Sequence, residues 1–98
     1  MSLTAKQTRF LRSQAHHLKP VVMVGQNGLK PSIFDELETA LDFHELIKVK
    51  IVADKEERTE ITGEIVRHCH AELVQNIGQI AILFRRNAKK PKIALPSS

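Results

Sequence analysis

The chain is 98 residues long, enough for one hydrophobic core and too short for two, which excludes a catalytic cleft between domains. Its formal net charge is +4, with 42% hydrophobic residues, four phenylalanines and neither tryptophan nor tyrosine. The lone Cys69 excludes an internal disulfide and suits a reducing compartment, and no stretch approaches the ~20 apolar residues that cross a bilayer.

The arrangement of the charge is more telling than its sum. Residues 1–34 hold Lys6, Arg9, Arg12, Lys19 and Lys30 with no acid, a charge of +5. Residues 35–72 hold all eleven acids and carry −6, and residues 73–98 return to +5 through Arg85, Arg86, Lys89, Lys90 and Lys92. Solubility alone would intersperse the signs, whereas segregation makes a field that attracts a polyanion to its positive part. Lys6, Arg9 and Arg12 also interrupt the N-terminus, so no early apolar run reads as a signal peptide and a cytoplasmic protein is expected.

Thr4-Ala5-Lys6-Gln7 has the form of a capping box and places a first helix over residues 5–17, with Phe10, Leu11, Ala15 and Leu18 on one side and Arg9, Arg12, His16 and Lys19 on the other. Taken alone, that basic side is more simply a solvated face than a binding face. Pro20 stops the helix, and Val21 to Val24 form a β-prone run. Gly25-Gln26-Asn27-Gly28 then makes a loop, and Pro31 suits the first position of a second helix whose inner side is Ile33, Phe34, Leu37, Ala40 and Leu41.

Residues 42–45 are expected to turn the chain into the clearest strand, Leu46 to Val52, in which Ile47, Val49 and Ile51 face inward and Lys48 and Lys50 outward. Strand, helix and strand make a βαβ unit, so these two strands are expected to be parallel. Asp54 with Glu57 opens a third helix to about His70, with Ile61, Ile65, Val66 and Cys69 inward and Gly63 as a weak point. Residues 73–77 and 79–85 read as a hairpin turning at Asn76-Ile77-Gly78, with Ile80, Ile82 and Phe84 on one face and Ala81, Leu83 and Arg85 on the other. A basic tail begins at about residue 86 and ends in Ile93-Ala94-Leu95-Pro96, free either to pack back or to stay loose. The order α-β-α-β-α-β-β describes a single α+β domain over residues 1–98. It is a two-layer sandwich with a four-stranded mixed sheet, the second and third helices lying on one face.

A G-x-x-G pattern is weak by itself, since tight strand-to-helix connections use glycine everywhere. Here it opens a helix, carries no acid, is followed by Lys30 and belongs to a chain with two acid-free ends. Main-chain N–H groups at a helix start recognise phosphate, and Gln26 and Asn27 can add hydrogen bonds to sugar or phosphate. The expectation is a glycine-hinged corner whose amides, flanked by cations from both termini, hold the backbone of RNA. Neither G-x-x-x-x-G-K-[ST] nor G-x-G-x-x-G is present, so nucleotide hydrolysis and dinucleotide binding do not follow. His68-Cys69-His70 and His16-His17 cannot converge on a metal from neighbouring positions of a helix, and Cys69 reads as a small core residue. Without aromatic platforms the surface is expected to read backbone and shape rather than splayed bases.

Three ordered motifs carry a resemblance. Val22-Met23-Val24-Gly25-Gln26-Asn27-Gly28-Leu29, then His44-Glu45-Leu46-Ile47-Lys48-Val49-Lys50, then Val74-Gln75-Asn76-Ile77-Gly78 before Leu83-Phe84-Arg85 resemble the CRM domain (chloroplast RNA splicing and ribosome maturation). The match runs over essentially the whole chain, in the bacterial stand-alone form of the YhbY family. The resemblance implies a fold similar to the C-terminal domain of translation initiation factor three, a loop similar to that of KH domains, and association with ribosomal RNA in precursors of the large ribosomal subunit. Two departures stand out: Lys30 occupies a place where a small hydroxyl residue is common, and Phe84-Arg85-Arg86 a place where Tyr-Arg-Pro is common.

The expected RNA contacts are Gly25, Gln26, Asn27, Gly28 and Lys30, with Arg9, Arg12, Lys19, Arg85 and Arg86 as secondary members. No catalytic residue, metal, cofactor, membrane or small-molecule substrate is implied, and a monomer is expected. The competing reading from another class is a protein-interaction module that docks on ribosomal or other proteins, with RNA contact incidental.

Overall fold

Thr4 opens the first helix as the sequence requires. Its hydroxyl accepts the Gln7 amide at 3.1 Å while the Gln7 side chain accepts the Thr4 amide at 3.1 Å, so two amides that a helix start leaves bare are satisfied. In the computed structural model, which describes residues 2–97, seven elements follow in the expected order. They are α1 (Ala5–Ala15), β1 (Pro20–Val24), α2 (Pro31–His44), β2 (Leu46–Ile51), α3 (Lys55–Cys69), β3 (Glu72–Ile77) and β4 (Ile80–Phe84).

The strands form one mixed sheet in the order β1-β2-β4-β3. β1 and β2 run parallel, as a βαβ unit demands, and β4 lies antiparallel to both β2 and β3. The hairpin turns on Gly78 and Gln79, one residue later than its sequence indicated, with Gly78 at φ +55 where a two-residue loop needs a left-handed residue and Ile77 paired to Ile80.

Alternation along each strand sorts the apolar side chains onto two faces. Val22, Val24, Ile47, Val49, Ile51, Ala81 and Leu83 meet Leu37 and Leu41 of α2 and Ile65 and Cys69 of α3, which is the expected two-layer body. Leu46, Val74, Ile82 and Phe84 point the other way, where Leu11 and Ala15 of α1 cover them together with Ile93 and Leu95 of the tail. α1 and the tail therefore add a partial third layer that the sequence had left unplaced. The tail is docked rather than loose, and Gln7 Nε2 donates to the Pro96 carbonyl at 3.1 Å. The cover is partial because an 11-residue helix spans only about 16 Å. Across the uncovered end of the sheet lies a row made by the pairs Met23–Lys50, Lys50–Ile80 and Ile80–Ile77.

Two helix ends differ from their expected places. α1 stops at Ala15, and His16 and Leu18 bond back to Ser13 and Ala15. α2 continues through Asp42 and Phe43 to His44, and Glu45 alone reverses the chain with φ 64 and ψ −46. No glycine, asparagine or proline marks that reversal, so nothing local announces it.

Gly63 lies inside α3, where glycine is about 1 kcal/mol poorer than alanine. An added Cβ would meet only the guanidinium of exposed Arg67, with Nη1 nearest at 3.2 Å, the far end of a flexible side chain. Gly63→Ala should therefore raise the unfolding free energy by roughly 0.5–1 kcal/mol in a urea titration, without changing the slope.

Candidate functional site

The glycine loop begins where β1 ends, fixed by the Val52 amide donating to the Val24 carbonyl at 2.9 Å. Gly28 N–H closes the turn onto the Gly25 carbonyl at 3.0 Å, and Gly28 takes φ +70, which a side chain resists. Lys30 is extended (φ −89, ψ 160), as a residue before proline must be, and forms the N-cap of α2 without a side-chain cap bond. Nothing lies within 4 Å of a Cβ built on Gly25, so the loop stands open to an approaching ligand.

The first turn of α2 offers less than a helix start ordinarily does. Pro31 has no N–H, and Ile33 and Phe34 both donate to the Lys30 carbonyl. Among the described residues, the amides left without a protein acceptor are those of Gly25, Gln26, Asn27, Leu29 and Lys30 in the loop and Ser32 in the helix. The loop itself is thus the main donor surface, and the side chains of Gln26, Asn27 and Lys30 are all exposed.

The other expected contacts do not gather around the loop. β1 and β2 end together at the loop, whereas β4 ends beside the start of β2, about 17 Å away along the strands. Arg86 and the tail cations therefore lie at the far end of the sheet, and Lys19, which precedes Pro20, lies toward that end too. Arg9 and Arg12 are exposed on the outer side of α1, which packs over the same far half. A corner flanked by both termini is not what this strand order builds.

Arg85 is engaged within the protein. Its guanidinium bonds Glu38 Oε1 and Asp42 Oδ1, each at 2.8 Å, and the Cys69 carbonyl at 2.9 Å, tying β4 to α2 and α3. Burial raises the Glu38 carboxyl, but hydrogen bonds and the charge of Arg85 more than reverse this and leave it below the ordinary range. Arg85 is a structural pin, and Arg86 is the exposed member of the pair.

Two residues absent from the expected set occupy the ground between loop and tail. Lys48 and Lys50 alternate with the buried Ile47, Val49 and Ile51, so they stand on the α1 face of the sheet, and Lys50 pairs with Met23 just below the loop. The alternation of β2 was the signal for them. The acids are elsewhere: Asp35, Glu36, Glu38 and Asp42 lie on α2, and Asp54, Glu56, Glu57, Glu60 and Glu64 cap or line α3. Of the eleven, that leaves Glu45, which is buried, and Glu72 at the start of β3. One face of the molecule is acidic, and the α1 face is rich in lysine and arginine. Lys55 and Arg58 approach the hairpin turn from α3 but stand among Asp54, Glu56 and Glu57.

The cysteine and histidines at the end of α3 have structural places. Cys69 is fully buried, and burial followed by the nearby Glu38 carboxylate pushes its thiol up to about 11. The His68 ring stacks on Phe34 with centroids 4.0 Å apart, and His70 ends α3 in the left-handed region at φ 54. Among the described residues no group of three histidine, cysteine or acidic side chains could hold a metal ion, and no helix is long and apolar enough to cross a membrane.

The tail is held by Glu45. Its carboxylate accepts the amides of Asn87 at 2.6 Å, Lys92 at 2.7 Å and Ile93 at 2.8 Å, and its carbonyl accepts the Arg85 amide at 2.9 Å. A side chain at positive φ costs about 1–3 kcal/mol and persists where its surroundings demand it, as these bonds do. Burial raises the Glu45 carboxyl, while the bonds from Asn87, Ile93 and Lys92 and the charge of Arg86 outweigh it, leaving the group below its ordinary value.

The CRS1 / YhbY (CRM) domain matches residues 3–85 of this chain. An RNA-binding protein of Haemophilus influenzae is 49% identical over 96 residues, covering 97% of this chain and 96% of the relative. The probable RNA-binding protein YqeI of Bacillus subtilis is 37% identical over 95 residues, covering 96% and 99%. The solution structure of a hypothetical protein from Staphylococcus aureus superposes with a TM-score of 0.83 at 31% identity, over 97% of this chain and all of the other.

The matched span stops at residue 85, so Glu45 clasps a segment beyond it. Because the folded carboxyl is depressed, its contribution is complete above the ordinary glutamate range and is lost as pH falls through the folded value. The amide proton shifts of Asn87, Lys92 and Ile93 should titrate together, below the pH at which exposed glutamates protonate. Glu45→Gln, which turns a donor toward the tail amides, should cost roughly 3 kcal/mol of stability at neutral pH.

Proposed function

From the chain's membership of the CRS1 / YhbY (CRM) domain family, we propose that it is a cytoplasmic, non-enzymatic RNA-binding protein that associates with precursors of the large ribosomal subunit and acts in their assembly. The observation that carries this reading is the division of charge between faces. Nine acids belong to the α2 and α3 layer, counting four on α2 and five at or along α3. The opposite face presents Lys48 and Lys50 from the sheet and Lys6, Arg9 and Arg12 from α1. RNA-binding relatives, as their names describe them, cover nearly all of the chain.

In this reading the glycine loop and the lysine face act as one strip. Loop amides and Lys30 take a phosphate group at one end, Lys48 and Lys50 follow the backbone across the sheet, and Arg9, Arg12, Lys19 and Arg86 extend the contact to the far end. Charge-assisted bonds to phosphate position the protein without reading sequence. Base stacking has little to work with on this face: Phe84 is buried, Phe10 is partly buried, Phe34 stacks on His68 and Phe43 lies on α2. Recognition therefore rests on the path of the backbone in folded RNA.

Lys30 gives a test in which stability and binding move oppositely. Lys30→Ser supplies the missing cap, so it should raise stability by up to about 1 kcal/mol. The same change removes a phosphate contact and should weaken binding to a folded large-subunit ribosomal RNA fragment roughly threefold to tenfold. Lys48→Ala with Lys50→Ala should lower the log-log salt slope of binding by about 1.4 to 1.8, as loss of two phosphate contacts requires. Unchanged affinity in both variants would remove the strip from consideration, and crosslinks to precursor particles from cells report the assembly role.

A further inference from the structure

β1 is an outer strand, bonded to β2 on one side only, and its other edge offers free N–H and C=O groups in alternation. Outer strands are ordinarily guarded by charge, proline or a bulge. β3 has Glu72 and a register shift between Leu73 and Gln75 along its length. β1 has Pro20 and a shift at its start, but Val21-Val22-Met23-Val24 carries no charge at all. Met23 is 59% exposed and Val21 48%, so this edge is both open and apolar.

A groove of about 470 Å³ runs beside that edge, between β1 and α2. Val21, Ala40 and Phe43 supply apolar lining, and Asp35 and Glu36 lie along it. Phe43 is 65% exposed, an unusual state for a phenylalanine with a core available. Its ring already receives one cation, since Lys92 Nζ lies 5.5 Å from the centroid. Neither Asp35 nor Glu36 has an ion-pair partner among the described residues.

We propose that the β1 edge and this groove receive an extended protein segment rich in lysine or arginine, which adds to the sheet as a fifth strand. Main-chain bonds to β1 supply the pairing, Val21 and Phe43 take an apolar side chain, and Asp35 and Glu36 select a basic sequence over an acidic one. RNA is disfavoured here by the same two carboxylates. A second copy brings its own Asp35 and Glu36 to the contact and no cation within its Val21–Val24. The groove lies on the α2 side of β1, opposite Lys48 and Lys50, so the proposal does not rest on the RNA reading.

The test uses the full chain and a blocked ten-residue peptide with valine and lysine in turn at every second position and threonine between them, so that one face of the strand carries both; the control of equal length has glutamate for lysine. Binding of the lysine peptide should shift the amides of Val21–Val24 and the Phe43 ring, and the control should bind at least about tenfold more weakly. Asp35→Lys with Glu36→Lys, both on the exposed side of α2, should weaken the lysine peptide about tenfold and leave unfolding by urea unchanged. Phe43→Ser should weaken it about fivefold. Three outcomes overturn the proposal: equal binding of the two peptides, dimerisation through β1 in sedimentation without peptide, or RNA shifting Phe43 and the β1 edge in place of peptide.

Discussion

A buried carboxylate holds the tail of this protein to the corner between α2 and β2. Glu45 occupies the single residue between α2 and β2, takes a backbone conformation that side chains resist, and accepts main-chain amides from a tail more than forty positions away. Its carbonyl also receives Arg85, the first residue after β4. The corner, the end of the central antiparallel strand and the tail are thereby fixed by one residue. Beside it Arg85 binds Glu38 and Asp42, so α2 is locked from both its carboxylates and its last turn.

That locking has a consequence for charge. A docked tail lies with α1 against the same face of the sheet, through Ile93 and Leu95, while the acid-bearing helices cover the other. Since every strand of the sheet contributes to both clusters or to one with its neighbours, the faces cannot mix their contents without unfolding. A chain of modest net charge therefore carries two surfaces of opposite character. The proposed functions divide accordingly, with RNA on the lysine face and a basic protein segment at the β1 edge beside the acidic helices.

The local features of the fold were legible because their causes are local. Thr4 with Gln7 and Pro31 at its helix start stand where backbone chemistry needs them, and the alternation of β2 and β4 states which side chains share a face. Asp54 accepts the Glu57 amide at 2.9 Å as a cap should. What sequence could not state depends on partners far away in the chain. Glu45 resembles any glutamate in a polar turn until the tail amides are placed beside it. Arg85 reads as one more terminal cation until Glu38 and Asp42 are brought to it. The place of α1 follows from Leu46, Val74, Ile82 and Phe84 sharing a face, which emerges only when the strands are paired. The loop is legible from its glycines, but its neighbours are not, because closeness along the charge pattern does not determine which end of a sheet a residue occupies.

RNA is proposed to lie on the loop and lysine face. The most direct measurement is a map of backbone amide shifts during titration with a folded fragment of large-subunit ribosomal RNA. The largest changes should fall at Gly25–Lys30, Lys48, Lys50 and the outer positions of α1, with α2 beyond its first turn and α3 unmoved. Changes concentrated on the exposed sides of α2 and α3, with the loop silent, would contradict it.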